Sequence, residues 1–179
     1  MPMWDRIKDQ AKARVSQRSP GGSGTSRSGG ASGGKAQLVS ALKAQLASVK
    51  TELKSGAFRD ASMAVCALVA AADGTVDAAE RQRVESLIVG NEVLQNFPAD
   101  SLRQIFNKHV DQLVSNFSYG KNAVLQEVAK VQKKPTEARA VIQTGIVIAG
   151  ADGYFAQAEA QVLREVCFAL GVPPAEFEL

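Results

Sequence analysis

Two stretches of this chain repeat one another. Residues 68–87, LVAAADGTVDAAERQRVESL, align with residues 147–166, VIAGADGYFAQAEAQVLREV. The match sets Asp73 over Asp152, Gly74 over Gly153 and Glu80 over Glu159, a spacing of 79 positions. The apolar positions agree as well: Val69 with Ile148, Val76 with Phe155, Val84 with Leu163, and Leu87 with Val166. Each unit reads as a buried helix, an Asp-Gly turn, one inward apolar residue, and a second helix beginning near the Glu. A repeated unit of this kind predicts a pseudo-symmetric pair of helical hairpins that bury their apolar faces together. Whether the two turns then meet is not legible from the repeat alone.

The rest of the chain beyond residue 36 reads as helices too. From residue 36 onward apolar residues recur at three- and four-residue intervals, and no segment alternates as a half-buried strand does. Leu38, Leu42, Leu46, Val49 and Leu53 form a first stripe, with Ser55-Gly56 as its expected stop. Further helices are expected over about 59–71, 77–89, 99–113, 119–132, 135–149 and 157–170. Pro135 opens the sixth, and Gly171 with Pro173-Pro174 closes the seventh. Hydrophobic residues make up 45% of the chain but aromatics only 6%, so the core must be built from Ala, Val, Leu and Ile. That composition favours close helix packing. The expected fold is all-α, a compact bundle of about seven helices.

Charge is distributed unevenly. The chain carries +3 overall, yet residues 1–35 hold seven Lys/Arg against two Asp, a balance of +5, which leaves −2 for the remainder. The basic character therefore belongs to a tail, and a nucleic-acid-binding body is not expected. Within that tail Trp4, Ile7, Ala11 and Val15 fall at helical spacing among Arg6, Lys8, Lys12 and Arg14. Such a segment, residues 4–15, suits an anionic membrane surface, or else is a solvated tail. Residues 16–35, rich in Gly and Ser, read as a flexible linker, and 36–179 as the helical domain. The start MPMWDRIKDQAKARV lacks the apolar run of a secretory signal, and no run is long enough to span a bilayer. The cytoplasm is the expected compartment.

The acidic turns carry the candidate chemistry. Asp73, Asp77 and Glu80 in the first, and Asp152 and Glu159 in the second, offer carboxylate oxygens within eight residues. Hard cations such as Ca²⁺ take oxygen ligands. An EF-hand is not expected, because its earlier carboxylate positions would fall on Val69 and Ala71. Capping is the competing explanation: Asp77-Ala-Ala-Glu80 reads as a capping box. It leaves Asp73 and Asp152 unexplained, and Ala156 replaces the cap residue in the second copy. If the carboxylates converge, each pair at ~5 Å costs about 3 kcal/mol at an effective dielectric of 20. Either a cation or arginines must then offset them, with Arg81, Arg83, Arg139 and Arg164 as candidates.

The remaining reactive side chains suggest little. His109 falls on the stripe of Leu102, Ile105, Phe106 and Leu113, the place of a packing histidine. Cys66 and Cys167 sit in apolar runs, as core residues rather than nucleophiles. Lys121, Lys130, Lys133, Lys134 and Arg139 suggest a basic face suited to an acidic partner or simply to solvent. With no Gly-rich phosphate loop, zinc set or nucleophile-base pair, no enzymatic activity and no organic cofactor are expected.

FRDASMAVCALVAAADGTVDAAERQRVESLI (58–88), LQNFPADSLRQIFNKHV (94–110), KKPTEARAVIQTGIVIAGADG (133–153) and ALGVPPAEF (169–177) resemble the TerB family of tellurite-resistance proteins. The resemblance covers about residues 36–178. It implies a compact bundle of about seven helices and a scaffold or sensor role in tellurite, phage and envelope stress. It places that role near the inner face of the cytoplasmic membrane. The partners it implies are an integral-membrane TerC-type protein and calcium-binding TerD-type proteins. It also implies a metal site at Asp73, Asp77, Glu80, Asp152 and Glu159, with Ca²⁺ the first choice of ion. The second turn departs from the family's more acidic run, since Tyr154, Ala156, Gln157 and Ala158 stand there.

Overall fold

A computed structural model describes residues 30–151 and 155–179. The expected basic segment at 4–15 and most of the expected linker lie outside the described residues. So do Asp152, Gly153 and Tyr154 of the second turn. Among the described residues there are seven α-helices and no strand, so the fold is all-α. The helices are α1 (Gly30–Ser48), α2 (Gly56–Ala70), α3 (Ala78–Val89), α4 (Ala99–Ser115), α5 (Phe117–Ala129), α6 (Pro135–Ala149) and α7 (Gln157–Leu170). Short 3₁₀ turns at Lys50–Glu52, Leu94–Asn96 and Pro174–Phe177 complete the path.

Local chemistry sets most of these boundaries. Ser55 Oγ accepts from Phe58 N at 3.0 Å and caps α2. Asp77 Oδ1 accepts from Glu80 N at 2.7 Å and caps α3, and Asn116 Oδ1 accepts from Tyr119 N at 3.1 Å and caps α5. Each satisfies an amide that the first helical turn leaves without a partner. Pro135 opens α6, where a missing N–H costs nothing, and Gly171 ends α7 at φ 68°.

Three boundaries differ from expectation. Ser55-Gly56 starts a helix instead of stopping one. The first stripe leaves α1 at Ser48, and buried Leu53 follows a 3₁₀ turn. Helix α1 also begins at Gly30, inside the stretch read as linker. Helix α5 begins earlier than expected, because Asn116 supplies a cap ahead of the apolar pattern.

Helices α2 and α6 form the core. Every residue from Ala61 to Ala71 and from Ala140 to Gly150 is buried. Helices α4, α5 and α7 pack around α2, α1 lies on α6, and α3 packs on α4. Close approach needs small residues. A Cβ at Gly145 would stand 2.7 Å from Val65 Cγ1 and 2.9 Å from Leu163 Cδ2, so α2, α6 and α7 meet there with no room for a methyl group.

The two core helices run parallel. Near their amino ends Ser55 Oγ donates to Glu137 Oε1, while further along Gly145 meets Val65, in the same order on both helices. Each helix has 15 residues, so their carboxyl ends finish at the same end of the bundle. Helix α1 runs antiparallel to α6. Gln143 Nε2 donates to Gln45 Oε1 at 2.8 Å, and Val39 lies against Gly150. The amino end of α1 therefore points toward the end where α2 and α6 finish.

Glu137 is the buried charge of this arrangement, 6% exposed. One oxygen accepts from Ser55, and the other lies 3.5 Å from Lys134 Nζ. It thus sits over the amino ends of two helices, whose dipoles favour a negative charge. Replacing Glu137 with Ala is expected to lower the unfolding free energy by about 1–3 kcal/mol. Gln should recover part of that loss by keeping the bond to Ser55. Urea unfolding followed by circular dichroism measures both.

Candidate functional site

The parallel run of α2 and α6 brings the helix ends that lead into the two Asp-Gly turns to one end of the bundle. The first turn is fully described. Gly74 adopts φ 93°, which L side chains rarely take, and its N–H donates to Ala71 O at 2.8 Å. Asp73 Oδ1 accepts from Thr75 N at 3.1 Å, closing an Asx-type turn. Val76 then packs inward against the core, as its repeat counterpart Phe155 does in the second copy.

Glu80 follows on the first turn of α3. Its carboxyl is pushed up from the ordinary value of 4.5, first by burial and then by the charges of Asp73 and Asp77. Arg83 offsets this in part. The other arginines considered as counter-charges are engaged elsewhere. Arg81 pairs with Asp111 at 3.0 Å and with Asn107 at 3.2 Å. Arg139 pairs with Glu176 at 3.2 Å, and Arg164 donates to Gln161 at 2.8 Å. A guanidinium is drawn to whichever carboxylate its helix face presents, and sequence gives the sign of a charge without its partner.

In the second copy Asp152 lies outside the described residues. Glu159 Oε1 accepts from the N–H of Ala156 at 3.1 Å, at the start of α7. Ala156 has no side-chain acceptor, so this is one half of a capping box. The first copy supplies the other half, through Asp77. The two repeats therefore divide between them a motif that a single helix often carries whole.

The donor set suits a hard cation, being all carboxylate oxygen. Asp73 and Asp77 use Oδ1 in the hydrogen bonds above, and Oδ2 takes no part in them. Among the described residues, no three His, Cys, Asp or Glu side chains form a group able to hold a metal ion. A complete shell therefore needs Asp152, backbone carbonyls or water.

Other sequence candidates resolve as packing or pairing. Both cysteines are buried, and burial pushes each thiol up to about 12, which leaves almost no thiolate at neutral pH. The expected basic face is largely neutralised. Lys121 pairs with Glu165 at 3.0 Å, Lys130 with Glu127 at 2.9 Å, and Lys134 with Glu137. No sequence signal pointed to the groove of about 380 Å³ bounded by α1, α3, α6 and the loop at 90–93. Its walls come from four separate segments. No helix among the described residues is long and apolar enough to cross a membrane.

Comparison with known proteins identifies the relationship. A family model described as "Tellurite resistance protein TerB" matches residues 59–179, which takes in α3 to α7 and nearly all of α2. A protein of Alcaligenes sp, "Tellurium resistance protein TerB", is 26% identical over 93 residues, covering 52% of this chain and 76% of that protein. No solved structure matches.

The matched span contains His109, which is 7% exposed on α4. Its Nδ1 is buried with no hydrogen-bond partner. Burial lowers its pKa below the ordinary 6.5, against the opposing pull of Glu127 and Asp60. The unfolded chain therefore binds this proton before the folded one does. Stability is full above pH 6.5 and is lost as pH falls toward the lowered value, by up to about 1.4 kcal/mol per pH unit. Urea unfolding between pH 7.5 and 5 should show this slope, and a His109→Gln variant should show less of it.

Proposed function

The chain belongs to the TerB family of tellurite-resistance proteins, and on that premise we propose that it is a non-catalytic scaffold or sensor subunit of tellurite resistance, with a divalent cation bound at its acidic turns. The observation that carries the cation is the environment of Glu80. Burial and two neighbouring aspartates disfavour its charge, and Arg83 offsets this in part. Among the described residues no three acidic side chains form a complete group, so a cation held by part of this set together with Asp152, backbone carbonyls or water would relieve that repulsion. All-oxygen donors on a short turn suit Ca²⁺ before Zn²⁺. The common direction of α2 and α6 supports Asp152 as a further ligand, and Glu159 caps the start of α7.

The non-catalytic reading is supported by thiols with almost no thiolate and by a sequence without a cofactor loop or nucleophile-base pair. By family resemblance, the partners are TerC-type membrane proteins and TerD-type calcium-binding proteins, at the inner face of the membrane. A second reading rests on the hydrogen bonds themselves. Asp73 closes a turn, while Asp77 and Glu159 cap helices, which is enough to retain these acids in an adaptor with no metal chemistry.

Calorimetric titration of the full chain with Ca²⁺ separates the two. Saturable binding is expected, weakened at least about tenfold in Asp73→Ala and in Asp152→Ala. At a hundred times Kd, Ca²⁺ should stabilise the fold by about 2.7 kcal/mol. Glu80→Gln should raise the metal-free melting temperature while weakening Ca²⁺ binding, because it removes the same repulsion that the ion relieves. Absence of binding to the unaltered chain, with cap-like losses of stability in the variants, would establish the adaptor reading.

A further inference from the structure

The groove beside α1 has no part in the cation reading. Its floor is apolar, formed by Leu46, Val93, Val147 and Ile148, with Lys43 and Glu92 on its rim. At about 380 Å³ it is large enough for an indole ring and a neighbouring aliphatic side chain. The chain offers one tethered segment of matching chemistry. Residues 4–15 carry Trp4 and Ile7 among Arg6, Lys8, Lys12 and Arg14.

Reach and charge both favour this occupant. Helix α1 begins at Gly30, and Lys43 on the groove rim lies thirteen residues along it, about 20 Å at 1.5 Å per residue. The Gly/Ser-rich stretch 16–29 has a root-mean-square span of about 21 Å as a random coil. A tether whose typical span equals the gap gives the greatest effective concentration. At roughly 1 mM, a segment with a free affinity of only ~0.1 mM is about 90% docked. The segment itself carries +2, four Lys/Arg against Asp5 and Asp9, and residues 36–179 carry −2, while the groove rim holds one charge of each sign, Lys43 and Glu92.

We propose that residues 4–15 dock in cis in this groove, with Trp4 as the anchor. The segment then covers an apolar surface of its own domain, and an external partner or membrane must displace it before binding it. The proposal is independent of whether the acidic turns hold a cation.

Trp4 is the one tryptophan of the chain, so its fluorescence reports the segment directly. In the full chain without lipid, emission should be blue-shifted, and acrylamide quenching should be reduced severalfold relative to free tryptophan. Both should be unchanged on hundredfold dilution. Ala47→Arg, a substitution at a half-buried wall position, should restore full quenching with the helical circular dichroism intact. Lys43→Ala, at the exposed rim, should retain most of the protection. Fully quenchable Trp4 in the unaltered chain would overturn the proposal. A blue shift arising only with phosphatidylserine vesicles would replace it with membrane docking. Protection lost on dilution would replace it with docking onto a second copy.

Discussion

The parallel packing of α2 and α6 is the contact on which the rest of the molecule depends. Two helices of 15 residues, buried along most of their length, lie side by side with a carboxylate shared across their amino ends and a glycine at their closest approach. Parallel alignment places two positive helix ends together. Glu137 offsets that repulsion where Ser55 and Lys134 can hold it. The same alignment carries two helix carboxyl ends, with their negative dipoles, to the opposite end of the bundle. The Asp-Gly turns leave from there. Acidic side chains at the negative ends of two helices are poorly placed on electrostatic grounds, and nothing in the packing of the core requires them.

That cost is only partly offset. Asp77 is also at the amino end of α3, where its charge is favourable, and Glu159, at the third position of α7, lies at an amino end too. Asp73 gains the amide of Thr75. Glu80 is the residue for which burial and neighbouring charge outweigh the compensation. Glutamine at the third helical position fills the capping role nearly as well. Glu80 is thus the acidic residue of the first turn whose charge its surroundings favour least, although it lies in the first turn of α3.

Much of the fold was legible wherever punctuation is local. Helix α6 matches its expected span because Pro135 and Gly150 bracket it, and α3 because Asp77 caps it. Ser55-Gly56 was misread because a Ser before a Gly can end one helix or begin the next. The apolar spacing that ran through Leu53 hid the break at Ser48. The two cysteines were rightly placed in the core, and His109, expected as a half-buried packing residue, is buried more fully than that. The pairing of Ser55 with Glu137 and of Arg81 with Asp111 was not legible. Those contacts span 82 and 30 positions, and helix periodicity says which face a residue occupies but not what lies opposite. The groove was illegible for the same reason.

One consequence follows from where these features lie. Ala151 forms part of the groove wall and immediately precedes Asp152, so the groove and the second acidic turn share a segment of chain. The amino end of α1, which follows residues 1–29 in the chain, points to that same end of the bundle. If the acidic turns take a cation, they become less negative and attract the basic segment less. By linkage a docked segment must then weaken the cation to the same degree. The coupling is negative and electrostatic, so it fades as salt shortens the Debye length toward the separation of the two sites.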